Sequence, residues 1–462
     1  MVFRTQRIRD PRHNLIEFEA NQFENAMWGV IQTAPFQRLR RVKQLGFSDF
    51  VYPGATHSRF AHSVGVFHTA RMLMKIIQRQ LGEHSFEDTQ AKTALAAALV
   101  HDVGHGPFSH AFETVGAKLG LPLADHEGIS DRLIRDSEIS TQLNRMGSGF
   151  ANDVADVIKQ VPGSIYSAVV SSQFDADRLD YMRRDRLMTG TQHGAIDFEW
   201  LIANIEVGRV PFGVDQERVG DVDTFVLGSK ALHAAETYVL GLFQLYPTVY
   251  FHKATRGAEK LFGELLIKVI KMALDNQWKN TGLPKTHPIL NFAKEPDSLD
   301  RLLALDDTVL WGALGQIAEA KEPILRDLAG RLRDRQLYKC IDVRERLLEK
   351  FGHAPESAIE TAIRCIDSKI KDWLATTCGD SPRIISDAAE RPPYKQFQES
   401  KGPLNQILIK TSGGELVDLI ERSAIVKAIP TFRLYRVYVD SDETKKFVED
   451  TIEAEGTSHV AN

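Results

Sequence analysis

Only three of the 462 residues are cysteine: Cys340, Cys365 and Cys378. They are odd in number and none stands in a CxxC spacing. That argues against a disulfide framework or a cysteine-built zinc site, and it fits a reducing compartment. Long apolar runs are also missing. The longest, such as ALAAALV, are far too short to span a bilayer. The first residues, MVFRTQRIRDPRH, lack the apolar segment of a signal peptide. These absences predict a cytoplasmic protein with no membrane partner. Positive charge is not in excess either: 57 Lys and Arg against 62 Asp and Glu give a formal net charge of −5. Such a chain has no bulk electrostatic footprint for nucleic acid, which leaves room only for a local basic pocket. No internal repeat and no low-complexity tract is visible.

What is present is ordinary globular material, 43% hydrophobic and 26% charged. Helical periodicity dominates. Residues 63–81 recur apolar at three- and four-residue steps, and 88–100 form an alanine-rich helix behind Asp88 that ends at Gly104, Gly106 and Pro107. Further helices are predicted at 126–137, 151–160, 165–172, 176–188, 227–245, 249–275, 308–319 and 357–377, with a break or kink near Pro247. Residues 203–227 read as short strands with turns. Residues 404–440 contain LNQILIK, a Gly413–Gly414 turn and the alternating RLYRVYV, which read as a small α+β segment. Asp297–Asp307 reads as a charged surface connection and the last dozen residues as a frayed end. The expected architecture is mostly α, with a small β-hairpin and a mixed α+β C-terminal lobe. The boundary is expected between a core at 1–280 and a lobe at 281–462.

One stretch does not fit helix packing. LVHDVGHGPFSHAF, Leu99 to Phe112, places His101, Asp102, His105 and His110 just past an apolar helix. An adjacent His–Asp pair at a loosening helix end can supply two metal ligands at once. Two further ligands would come from His62, in THSRFAHSVGV, and Asp177, in FDADRLDYMRRD, each near a predicted helix start. An HD dipeptide alone is weak, but the order His62, His101–Asp102, Asp177 is the H…HD…D pattern of metal-dependent phosphohydrolases. Single features have plainer readings as well. His68 and His233 read as hydrogen-bonded core histidines. The run RLRRVK, Arg38 to Lys43, reads as a solvated helix face. Asp125–His126 can serve as a helix cap, and Arg178 and Tyr181 as ordinary pairing and packing residues.

The stretches PFQRLRRVKQLGFSDFVYPGATHSRFAHSVGV, LVHDVGHGPFSHAFE, ADHEG and DADRLDYMRRD, in that order, resemble the HD-domain metal-dependent phosphohydrolases. The branch they resemble is that of the deoxynucleoside triphosphate triphosphohydrolases. It includes the enzyme that joins a sterile alpha motif to an HD domain, and its bacterial relatives. The match runs from about Arg7 to Lys253, and no stretch resembles the sterile alpha motif. The resemblance implies a helical HD fold and metal-dependent hydrolysis of (deoxy)nucleoside triphosphates to nucleoside and triphosphate, a metal-activated water attacking phosphorus. It implies His62, His101, Asp102 and Asp177 as metal ligands, with Asp102 also serving the chemistry. His126 would be the general acid and Glu113 its orienting partner. Gln44 and Leu45 would lie at the sugar, with Arg59, His105, His110, Arg178, Tyr181 and Asp185 on the triphosphate and sugar, and Tyr250 stacked on the base. Gln37 and Arg40 would meet a regulatory nucleotide.

The chain departs from the family pattern at three places. Gln32 stands where an aspartate reads guanine, Leu242 at a substrate arginine and Phe251 at a glutamine. Two alternatives therefore stay open: hydrolysis of another phosphate ester (a nucleoside monophosphate, a guanosine alarmone or a cyclic dinucleotide), or a catalytically silent nucleotide sensor. The donor set suits Mn²⁺, Fe²⁺, Zn²⁺, Ni²⁺ or Mg²⁺. The family also implies a homo-oligomer, a dimer or tetramer.

Overall fold

Alanine decides the centre of the fold. The helix Asp88–Val100 is apolar on all sides and buried from Thr93 to Val100, as expected for a helix enclosed by others. Its small side chains let the long helix Arg59–Leu81 and the helix Phe150–Lys159 lie close against it. The computed structural model describes residues 4–159, 163–214, 217–352, 354–392 and 406–460. It is mostly helical with three small sheets, the predicted class.

The chain divides into two compact units. One comprises Met1–Val249, Pro296–Thr308 and Pro393–Pro430, and the other Tyr250–Glu295, Val309–Pro392 and Thr431–Asn462. Both are discontinuous, whereas the sequence reading places one boundary after residue 280.

The first unit holds a hairpin of strands β1 (Gln6–Asp10) and β2 (Asn14–Phe18) and a set of helices. Strands β3 (Ile205–Val214) and β4 (Glu217–Leu227) form a long hairpin. Two short strands from far along the chain join its edge. In the second unit, β5 (Lys339–Asp342), β6 (Ile384–Arg391) and the last strand form an antiparallel sheet. The strands at that distant edge are β7 (Leu408–Lys410) and β8 (Leu416–Asp418), giving the order β3-β4-β7-β8, and with β9 (Phe432–Val439) the second sheet has the order β5-β9-β6. That second sheet packs under a core including Ile341, Val343, Ile359, Ile366, Val437 and Val448.

Most predicted helices form within a few residues of their expected bounds, and Pro247 sits in a π-helical turn, Tyr246–Tyr250, between two long helices. Three expectations are corrected. Residues 165–172 form only a 3₁₀ turn, Ser167–Val169. The supposedly frayed end belongs to a helix, Asp442–His459, started by a Ser441/Thr444 capping box and fastened by buried Val448 and Ile452. Gly456 on that helix lets Phe351 approach, since a Cβ there would lie 2.5 Å from its ring. The charged segment Asp297–Asp307 is no surface link. Leu302, Leu305, Asp306 and Asp307 are buried, and Asp307 accepts the backbone N–H groups of Lys43 at 2.8 Å and Phe108 at 2.7 Å.

Candidate active site

Four helix ends build the site. Ser58 caps the helix Arg59–Leu81, so His62 sits in its first turn. His101 ends the alanine-rich helix. Asp175 caps the helix Ala176–Thr189 and puts Asp177 in its first turn. Asp125 caps the helix His126–Asp136, accepting the Gly128 N–H at 2.8 Å, and this makes His126 its first residue. The cap reading and the site reading of Asp125–His126 therefore hold together.

The loop between His101 and His110 has two close approaches. A Cβ on Gly104 would lie 2.3 Å from the His126 carbonyl oxygen and 2.4 Å from the Ser130 nitrogen, so glycine admits the start of the His126 helix. Phe108 and Ser109 both adopt positive φ, 52° and 53°, a costly conformation for such residues. Their turn is held by Asp307 on the Phe108 N–H and by Arg59 Nε on Ser109 Oγ at 2.9 Å.

His62, His101 and Asp177 converge, each offering a ligand atom within 4.8 Å of the others. His62 Nε2 lies 2.9 Å from Asp177 Oδ1 and 3.7 Å from Asp102 Oδ2. His101 Nε2 lies 3.3 Å from Asp102 Oδ1 and 3.7 Å from Asp177 Oδ1. Its Nδ1 faces the Ala98 carbonyl at 3.0 Å, so Nδ1 carries a proton and, in the neutral ring, Nε2 is the acceptor. That Nε2 is buried and has no hydrogen-bond partner. An orphaned imidazole lone pair beside two carboxylates is what a divalent cation would satisfy, so the residues fit such an ion.

Without an ion, the same carboxylates draw a proton to His62, and a bound cation would displace it. Burial would push the His62 imidazole down, but the hydrogen bonds and charges of Asp177 and Asp180 overcome it and raise it to about 10. Against the cost of burial, His101 and His62 hold Asp177 below the usual carboxylate range. Asp102 is likewise held well below it, by Arg59 first and then His101. Arg59 bonds Asp102 directly.

A second cluster, His105, Glu113 and His126, adjoins the first. The rings of His105 and His126 stack at 4.0 Å. Glu113 takes His126 Nδ1 on one oxygen and His110 Nδ1, at 2.7 Å, on the other. Burial alone would lower the His126 imidazole, but Glu113 reverses this and raises it. His105 goes the other way, pushed well below its ordinary value by burial and then by Arg59. The two stacked imidazoles are thus shifted in opposite directions.

The remaining sequence candidates are placed unevenly. Gln44 has a buried Oε1 without a hydrogen-bond partner, and Leu45 is half-buried beside it. Asp185 is buried and accepts His57 Nε2 at 2.9 Å. Tyr181 is half-buried and its hydroxyl is raised well above its ordinary value by burial and then by Tyr246. Arg178 bends back onto Asp175 and the Ser172 carbonyl. Tyr250 belongs to the second unit. Gln37 and Arg40 pair with each other at 2.8 Å, and Arg40 lies over the Phe60 ring at 3.6 Å.

Two plainer readings are corrected. His233 is no core histidine: its imidazole is 91% exposed and pairs with Glu236. RLRRVK is a solvated face only in part: Arg40 and Arg41 are exposed, whereas Leu39 and Val42 are buried. Arg38 is buried, where burial lowers it to about 10, and it donates to the carbonyls of Leu305 at 2.7 Å and His105 at 2.8 Å.

Sequence reasoning missed Asp180, His57 and His13. Asp180 had a local signal, since it lies one turn past Asp177 on the same helix face. His13 had none, because its partner Asp180 is 167 residues away. A third cluster of donors, Cys365, Glu455 and His459, lies in the second unit, where Lys369 Nζ already occupies Glu455 at 2.5 Å. Among the described residues no helix is long and apolar enough to cross a membrane.

Helix ends here gather histidines and aspartates in an H…HD…D order. Comparison with known proteins agrees, since the HD domain family matches residues 59–184. The chain is 30% identical over 460 residues to the uncharacterized protein YwfO of Bacillus subtilis, covering 98% of this chain and 94% of that one. It is 28% identical to the deoxynucleoside triphosphate triphosphohydrolase SAMHD1 homolog of Dictyostelium discoideum, over 68% of this chain and just over half, 56%, of that protein. A phosphohydrolase crystal structure from Bacteroides thetaiotaomicron shares the fold, with a TM-score of 0.72 at 24% identity over 95% of this chain and all of that one. The chain belongs to the HD-domain phosphohydrolases and resembles their deoxynucleoside triphosphate triphosphohydrolase branch.

Proposed function

We propose that this protein hydrolyses (deoxy)nucleoside triphosphates to nucleoside and tripolyphosphate. The observation that carries the reading is the juxtaposition of two centres. One is the cation-fitting set around the orphaned His101 Nε2, and the other is the stacked pair His105–His126 with Glu113 behind it. A divalent cation at His62, His101, Asp102 and Asp177 supplies Lewis acidity for phosphorus and for water. His126 holds its proton through Glu113 and gives it to the leaving 5′ oxygen. Arg59, fixed between Asp102 and Ser109, places positive charge where phosphate oxygens gain negative charge. The relative from Dictyostelium is named for this activity.

Gln44 and Leu45 lie at the sugar in this reading, and its unpaired Oε1 gives Gln44 a reason to contact it. His105, His110, Arg178, Tyr181 and Asp185 bind triphosphate and sugar. A regulatory nucleotide at Gln37 and Arg40, assembly into dimers or tetramers, and a cytoplasmic location belong to the same reading. A second reading, another phosphate ester, is favoured by Arg178, whose guanidinium is engaged by Asp175 and Ser172, and by Leu242 at the family's arginine.

Product analysis separates the two. The purified protein is incubated with Mn²⁺ and each of the four dNTPs and four rNTPs, singly and mixed, and products are resolved by ion-pair chromatography. Nucleoside with tripolyphosphate is expected, absent in Asp102→Ala. Orthophosphate or pyrophosphate from the same substrates would favour the second reading.

A further inference from the structure

Behind His62 lies a buried polar network that the proposed chemistry does not touch. Asp180 has no solvent exposure and is reached from three sides. Its Oδ2 faces His62 Nδ1 at 2.9 Å. Its Oδ1 faces His13 Nε2 at 2.6 Å. Arg184, four residues on along the same helix, donates Nε to Oδ2 at 2.8 Å and Nη2 to Oδ1 at 3.1 Å. Arg184 also donates Nη1 to Asp10 Oδ2 at 2.7 Å. Asp10 in turn closes the β1–β2 turn, its Oδ1 accepting the backbone N–H groups of Arg12 and His13 at 2.9 Å each. Space for the network is reserved by Gly65, three residues after His62. A Cβ there would lie 2.2 Å from Arg184 Nη2 and 2.3 Å from Asp180 Oδ1.

We infer that Asp180 is a positioning residue for the metal centre: it accepts the Nδ1 proton of His62, so that the ring turns its Nε2 lone pair toward Asp177, Asp102 and His101. A neutral imidazole has one donor and one acceptor nitrogen, and the partner of the first decides what the second can do. A carboxylate behind a ligand histidine fixes its ring plane and tautomer and raises its basicity. Arg184 keeps the buried Asp180 charge compensated. His13 and Asp10 tie the pair to the N-terminal hairpin, so a turn at the start of the chain sets the geometry of a ligand in another helix. The inference rests on the metal reading of His62 but not on any substrate.

Metal binding tests it. Mn²⁺ affinity is measured by titration of the full chain, wild type and Asp180→Asn, alongside circular dichroism to verify folding. Asp180→Asn is expected to bind Mn²⁺ about 10–100-fold more weakly while the fold persists. Affinity within twofold of wild type in a folded variant overturns the inference. Should the variant not fold, the unmutated protein decides. Long-range ¹⁵N–¹H spectra with Zn²⁺ bound, His62 assigned by difference from His62→Gln, are expected to show the Nδ1–H form. An Nε2–H form overturns the inference. If wild type binds Mn²⁺ but cleaves no nucleotide, the functional reading falls and this one stands. If wild type binds no metal, both fall.

Discussion

In the proposed reaction the pair His126 and Glu113 would set both rate and pH range. His126 is raised because Glu113 outweighs its burial, so the acid stays protonated at pH values where a free imidazole would have lost its proton. Activity that needs this acid is present below the His126 pKa and falls as pH rises through it. Glu113→Gln removes the charge, lowers that pKa and moves the alkaline limb of the kcat profile to lower pH; a limb that stays in place would assign the acid elsewhere. His126→Gln is expected to cost about 10²–10⁴-fold in kcat while Mn²⁺ binding is unchanged, as read by rapid-quench turnover and metal titration. Much of this constellation was legible, because His101–Asp102 interrupts an apolar pattern and His126 follows a capping aspartate. His57 and Arg38 carry no such signal, since their partners lie 128 and 67 or more residues away. A one-dimensional reading treats such residues as helix surface, and RLRRVK misled for that reason.

At the scale of elements, packing tolerances matter more than propensity. Gly104→Ala sets a methyl against the backbone of the His126 helix, and backbone cannot rotate away. We expect a loss of about 1–3 kcal/mol and a fall in kcat larger than the loss of folded protein explains, measured by thermal melts and by kinetics on the same preparation. In the second unit, buried Asp387 accepts Arg256 Nε at 3.0 Å and Nη2 at 2.6 Å, and Lys260 stands at 3.0 Å. Burial would raise this carboxyl, but Arg256 and Lys260 hold it below its ordinary value. Its contribution to stability is therefore present above the unfolded carboxylate pKa of about 3.9 and lost as pH falls toward the folded value. Arg256→Met is expected to destabilise by about 2–3 kcal/mol, below the cost of baring a buried charge because Lys260 remains, and to weaken the acid dependence of the melting temperature. Helices with strong periodicity were readable from sequence. The 3₁₀ turn at Ser167–Val169 and the final helix were not, because packing against residues distant in sequence settled both.

The whole molecule was the least legible scale. Pro296–Thr308 and Pro393–Pro430 return to the first unit after the chain has entered the second, and no local pattern announces such a return. Asp306 and Asp307 look like linker charge until Arg41 at 2.5 Å and the Phe108 N–H appear against them. A cation that binds only the folded chain should stabilise all of the first unit. Mn²⁺ at about 100 times its dissociation constant is expected to add about 2.7 kcal/mol, seen as a rise in melting temperature that EDTA reverses and that His101→Ala abolishes.

In the proposed reaction, water attacks phosphorus at this centre and the triphosphate leaves whole. Turnover of the mixed dNTPs with Mn²⁺ in ¹⁸O-labelled water, read by mass spectrometry, tests that directly. One ¹⁸O in tripolyphosphate and none in the nucleoside, lost in Asp102→Ala, is the result we predict. Label in the nucleoside, or in orthophosphate without tripolyphosphate, would contradict it.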